Sequence, residues 1–177
     1  MKKILFIQLS LIVMLTVAGC CGTRNGADNL VPGHYTYEHG WEYAVKDARM
    51  VVHETGTMDF CQDGTALDSA HQVYTIVRND GTQHTVVFNY ISPSRWKLVG
   101  EDFYFSGVKE TFRMEVLETQ TEDQQWVDQF AQSMIKAYAS TIDHETAFHL
   151  DRLTRRALFW SLTYKDGHTD HWEFYKR

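Results

Sequence analysis

The sequence predicts a mainly β chain: an antiparallel up-and-down barrel of about eight to ten short strands with one packed α-helix. Three observations predict it. Apolar and polar residues alternate with a period of two over several runs, as half-buried strands require. Asp-Gly pairs stand between those runs, and such pairs supply the positive φ that tight hairpin turns demand. One stretch alone, Gln124 to Ile142, switches to the period of a helix. A barrel is preferred to an open sheet because aromatic strands need a core or a cavity to face, and closure removes aggregation-prone edges.

The chain begins with a basic Met1-Lys2-Lys3, and Ile4 to Ala18 is apolar apart from Gln8, Ser10 and Thr16. A basic start, a short apolar run and small residues at its end describe a secretory signal peptide over residues 1–19. The run falls short of the about 20 apolar residues that a membrane-spanning helix needs. Leu15-Thr16-Val17-Ala18-Gly19-Cys20 resembles a bacterial lipobox. That resemblance implies cleavage before Cys20, a diacylglycerol thioether on its sulfur and acylation of the new amine. Several acyl chains anchor where one binds only reversibly, at about 0.8 kcal/mol per buried CH₂. Residues 20–30 are then the lipidated N-terminus and a flexible polar tether, and residues 31–177 the barrel domain. By analogy with lipoprotein sorting, Cys21 after the anchor, where an Asp would retain the protein, points to the outer membrane and its periplasmic face.

Composition bounds the classes of function. Of 177 residues, 44% are hydrophobic, with 10 Phe, 9 Tyr and 5 Trp but only two Pro and three Cys. That excludes a disordered, collagen-like or disulfide-scaffold chain. Loss of residues 1–19 removes two lysines and no acids, so the net charge goes from -6 to -8. Such a surface repels phosphates, and no nucleic-acid partner is expected.

The strands follow in order. His84 to Ile91 puts Val86, Phe88 and Tyr90 on one face, and Arg95-Trp96-Lys97-Leu98 continues the alternation. Thr111 to Val116 places Phe112, Met114 and Val116 together; Ala157 to Tyr164 does the same for Leu158, Trp160, Leu162 and Tyr164. His171-Trp172-Glu173-Phe174 repeats the pattern. Asp63-Gly64, Asp80-Gly81 and Asp166-Gly167 mark hairpins, and Val99-Gly100-Glu101-Asp102 a fourth turn. In the helix, expected over about 122–142, Trp126, Phe130, Met134, Ala137 and Tyr138 share a side, with Val127, Ala131 and Ile135 flanking them. Thr121-Glu122-Asp123-Gln124 fits a capping box, and acids at the start with Lys136 near the end suit the helix dipole. The polar face lacks the basic density of a membrane-surface helix, so packing on the barrel is expected.

The anchor, the opening Pro32-Gly33-His34-Tyr35, the run from Thr57 to Thr65 (with Phe60-x-x-Asp63-Gly64-Thr65) and Trp96 to Phe103 resemble small bacterial lipocalin-like lipoproteins over residues 31–118. The resemblance implies a barrel of eight strands or more, often with a cavity for a small apolar molecule, and no catalysis. Two departures stand out: the lipocalin Gly-x-Trp is here Gly33-His34-Tyr35, and the helix precedes the last strands.

No nucleophile motif, phosphate loop or Cys-x-x-Cys is present, so no enzyme and no cofactor is expected. His168-x-x-His171, beside Asp166, Asp170 and Glu173, offers metal-ligand atoms, but no third ligand follows at a diagnostic spacing, so no metal is expected. Cys21 and Cys61 can bridge in an oxidising compartment; the alternative, preferred here, is an unbridged Cys61 serving as a small buried hydrophobe. Phe88, Tyr90, Trp96, Phe112, Trp160 and Trp172 are the candidate ligand-contacting residues, with a tightly packed core as the competing role. Two functions remain: an anchored barrel binding or carrying a small, mostly apolar molecule, and a filled-core domain docking or inhibiting an envelope protein.

Overall fold

In a computed structural model the described residues are 29–45, 47–121 and 123–177. The signal peptide, the lipobox, Cys20, Cys21 and most of the tether lie outside them. Nine strands and one helix follow in order among the described residues: β1 (Gly33–Val45), β2 (Ala48–Phe60), β3 (Thr65–Arg78), β4 (Gln83–Val99), β5 (Asp102–Gly107), β6 (Arg113–Gln120), α1 (Gln124–Thr141), β7 (Thr146–Leu153), β8 (Ala157–Thr163) and β9 (Thr169–Lys176). All pairings are antiparallel. The path β1–β2–β3–β4–β5–β7–β8–β9 returns to β1, closing an eight-stranded barrel with every element inside residues 33–176.

The expected turns form where the glycines permit them. Gly64, Gly81, Gly100 and Gly167 all take positive φ, and Asp63, Asp80 and Asp166 each accept the backbone N–H two residues on. The turn between β1 and β2 was not foreseen: Asp47, at φ 60, does there what Gly does elsewhere.

The fifth position of the barrel is interrupted. β4 is 17 residues long, and its far edge pairs β5 from Ser94 to Val99 but β6 from Thr85 to Ile91. Between β5 and β6 the chain makes an excursion held by Val108 N–H donating to Pro93 C=O at 2.7 Å. Met114 and Val116 share a face as expected, opposite Tyr90 and Phe88 of β4. Phe112 and Met114 are buried, whereas Val116 and Leu117, at a bulge that shifts the register, are exposed. Likewise Leu158 and Trp160 are buried while Tyr164, beyond the end of β8, is exposed.

β9 pairs β1 only from Tyr35 to Tyr37. The upper half of β1 and the outer edge of β6 thus have no further strand partner among the described residues, and α1 stands in this opening. Its N-cap is Asp123, whose side chain accepts Trp126 N–H at 3.0 Å. Thr121 instead accepts from Asp123 N–H, so the expected Thr121 capping box is replaced by an Asp cap. The first turn holds no acid and the last turn no base, so Asp123 itself is what favours the positive end of the helix dipole. Val127 and Ala131 are the residues α1 buries, with Phe130 and Tyr138 partly buried against the core.

The two ends of the barrel differ. The end closed by all eight strands is filled with rings: Phe60 meets Tyr35, Trp96, Phe103 and Trp160 edge-on at 5.6–6.2 Å, and Trp160 meets Phe174 at 4.5 Å. Here the chain also enters. The Tyr35 hydroxyl donates to Val31 C=O at 2.7 Å, and Lys176 donates to the carbonyls of Leu30 and Pro32. Val31 is fully buried. Cys61, expected to be buried, is half-buried at the start of the β2–β3 turn.

Candidate functional site: a cleft beside the helix

The middle of the barrel is polar. β2 and β3 turn Glu54, Asp68 and Gln72 inward, and all three are buried. Tyr37 donates to Asp68 Oδ1 at 2.7 Å and Tyr90 to Asp68 Oδ2. Gln72 Nε2 donates to Glu54 and, at 2.9 Å, to the Tyr138 hydroxyl. Tyr74 donates to Gln72 Oε1 at 3.2 Å, which leaves Tyr138 to donate to Tyr74, also at 3.2 Å. Gln72, Tyr138 and Tyr74 therefore close a ring of hydrogen bonds that ties α1 to β3.

Burial disfavours the charged form of every acid in this layer. It pushes Asp68 up to about 7, with the Glu54 charge adding to the effect and the Tyr90 and Tyr37 hydroxyls opposing it. Burial also raises Glu54, against its hydrogen bond from Gln72 and the influence of the Tyr37 hydroxyl. Tyr37 and Tyr90 are held well above the usual phenol range, first by burial and then by the two carboxyl charges. No lysine, arginine or histidine is among the hydrogen-bond partners of this layer.

Above the polar layer, between α1 and the upper half of β1, lies a cleft of about 340 Å³. Trp41 and Tyr43 of β1, Met50 of β2 and Tyr74 of β3 form one wall; Met134, Ala137, Tyr138, Ser140 and Thr141 of α1 form the other. Period two along β1 brings Trp41 and Tyr43 to the same side, and the four-residue helical step aligns Met134 with Tyr138. The Ser140 and Thr141 hydroxyls are spent on Ala137 C=O at 2.7 and 3.3 Å. Trp41 Nε1 is sealed from solvent and has no partner. Beside it His39 stacks on Trp172 at 4.7 Å, and burial lowers its pKa.

The six residues expected to contact a ligand are divided by the fold. Phe88, Tyr90 and Phe112 back the cleft: Phe88 meets Tyr74 at 5.4 Å, and Tyr90 and Phe112 each meet Tyr138 at 6.2 Å. Trp96 and Trp160 belong to the ring-filled end. Trp96 donates its indole N–H to the carbonyls of Cys61 and Thr65, and Trp160 Nε1 is unpartnered in the core. Trp172 is half-buried against His39. The lining residues themselves were not singled out from the sequence, although the helical face had grouped Met134, Ala137 and Tyr138.

Elsewhere, a broad depression of about 720 Å³ on the outer face crosses β2, β1 and β9 over Gly40, flanked by Glu38, His53, His171 and Glu173. Its walls are outward-facing polar side chains, so it buries little. His168 pairs with Asp170 at 2.8 Å, and among the described residues no group of three His, Cys, Asp or Glu is placed to hold a metal ion. No described helix is long and apolar enough to cross a membrane.

No protein family matches the chain, and no curated protein matches its sequence.

Proposed function

We propose that this chain is a lipid-anchored envelope protein whose barrel binds a small, mostly apolar molecule in the cleft between α1 and β1. The cleft carries the reading. Its volume of about 340 Å³ lies at the lower end of ligand pockets, which run from about 300 to 1,000 Å³. Its lining is mostly aromatic and thioether, with the Tyr74, Tyr138, Ser140 and Thr141 hydroxyls engaged within the protein. The opposite end of the barrel is filled with rings, so the ligand enters beside the helix and does not occupy a central channel. The lipobox-like segment ending at Cys20 supports the anchor, and Cys21 after it the outer membrane.

The test is a native mass spectrum of residues 22–177 purified from a native-like host, followed by extraction and identification of any adduct. A stoichiometric small apolar adduct, lost when Ala137→Trp fills the cleft, supports the reading. An adduct that survives Ala137→Trp, or a bare chain that takes up no small apolar compound on titration, sinks it.

A second reading, a module that docks or inhibits an envelope protein, is favoured by one observation. Val116 and Leu117 are 37% and 58% exposed on β6, whose outer edge pairs with no strand among the described residues. Unpaired edges bearing apolar side chains are sites of strand addition.

A further inference from the structure

The chemistry of the cleft walls narrows the ligand. Trp41, Tyr43, Tyr74 and Tyr138 present four aromatic rings to one small volume. The face of such a ring is the negative lobe of its quadrupole and attracts a cation within about 6 Å of its centre. Met50 and Met134 add polarizable thioethers that adapt to an alkyl body.

Charge points the same way. No lysine, arginine or histidine lines the cleft. Arg49, next to Met50, pairs outward with Glu42 at 3.4 Å, and Lys136 is exposed on α1. His39 lies 5.1 Å from the Trp41 ring, with burial favouring its neutral form; the other side chains that reach the walls from behind include acids. Glu54 is linked to the Tyr138 hydroxyl through Gln72. Burial is the first cause that raises the phenols of Tyr74, Tyr138 and Tyr43, and at Tyr43 the Asp170 charge is the next. With the Ser140 and Thr141 hydroxyls turned to a backbone carbonyl, an anion would find no counter-charge lining the cleft.

We propose that the cleft takes an organic cation, an alkylated or quaternary ammonium on an apolar body. This rests on the reading of the cleft as a ligand site and specifies the charge of what enters. A fatty acid or other anionic amphiphile is disfavoured by the same walls.

The experiment titrates residues 22–177, which contain every element of the barrel, with three probes of one shape. These are benzyltrimethylammonium, its uncharged carbon isostere neopentylbenzene, and the anion phenylmethanesulfonate. Binding is followed by the ¹³C-methyl resonances of Met50 and Met134. The expected order is cation over neutral by about tenfold, with the anion weakest. Tyr43 is 48% exposed and can be exchanged without opening the core. Tyr43→Leu should lower cation affinity several-fold and leave the neutral probe unchanged. A neutral probe that shifts both methyls and binds as tightly as the cation overturns the charge assignment and leaves the cleft standing. A cation preference unaltered in both Tyr43→Leu and Trp41→Leu also overturns it. If no probe shifts either methyl, the cleft itself is not a ligand site and both readings fall.

Discussion

Gly56 faces Tyr37 directly across the β1–β2 pair, and a Cβ at Gly56 would stand 2.6 Å from Tyr37 Cζ, 2.7 Å from its hydroxyl oxygen and 2.8 Å from Ser69 C=O. The missing side chain is what lets the Tyr37 ring lie flat against β2 and reach Asp68. The polar layer of the barrel therefore depends on a glycine that makes none of its hydrogen bonds.

Gly56→Ala should destabilise the fold by about 1–3 kcal/mol, the range for overpacking a filled interior. The neighbouring backbone carbonyl cannot retreat, and moving Tyr37 breaks its bond to Asp68. Gly40→Ala on the adjoining strand is the control, since a Cβ there meets only Val52 C=O at 3.5 Å. Urea midpoints report both; equal midpoints for the two variants would remove Gly56 from this role.

The Asp68 carboxyl, pushed from 3.8 to about 7 by burial and the Glu54 charge, makes stability depend on pH in a definite direction. Between those values the folded chain keeps a proton that the unfolded chain has released. Stability from this group is therefore greatest in acid, falls as pH rises towards 7 and is level beyond. The slope is at most about 1.4 kcal/mol per pH unit for one proton. Asp68→Asn should flatten the profile and gain on the wild type between pH 5 and pH 8. Parallel profiles would mean that another group holds the proton.

Tyr138→Phe deletes one member of the Gln72–Tyr138–Tyr74 ring, leaving a Gln72 N–H without its acceptor and the Tyr74 oxygen without its donor, a loss of about 1–3 kcal/mol. Because this ring ties α1 to β3, hydrogen exchange should quicken along α1 before it quickens in β2 and β3. Uniform acceleration across all strands would contradict a local tether.

Cys20→Ala should leave an unprocessed precursor that takes up no acyl analogue. Normal metabolic labelling of that variant would end the lipoprotein assignment.

The turns and the helix were legible because each rests on local chemistry. Asp-Gly at 63–64, 80–81 and 166–167 can do little else between two strands, and the spacing from Trp126 to Tyr138 is a helix wherever it packs. The polar layer ran against the usual pattern. On β3, Asp68 and Gln72 point inward in phase with Tyr74 and Ile76, while Leu67 and Val73 face outward only half-covered. Hydrophobicity alone assigns those two faces the other way round at that end of the strand. The phase of Tyr74 and Ile76, carried back from the Asp80-Gly81 hairpin, was the signal available. The cleft had no such signal, since its walls come from residues 41–43, 50, 74 and 134–141, which only closure of the barrel brings together. Nor did the interruption of the fifth strand, where Gly107 is packed against Ile142, a contact between residues distant in sequence.

Lys176 and Tyr35 hold the incoming chain at the ring-filled end, whereas Trp41 and Tyr43 lie well along β1 towards the other. At about 3.3 Å per residue and a tilted path, these points are separated by about 15–20 Å along the barrel axis. With an acyl group on Cys20, the leash emerges from the floor of the molecule and its doorway is at the roof. Under the proposed anchoring, the cleft would then lie at the end of the barrel remote from the point of attachment, open to solutes and passing proteins more readily than to the leaflet.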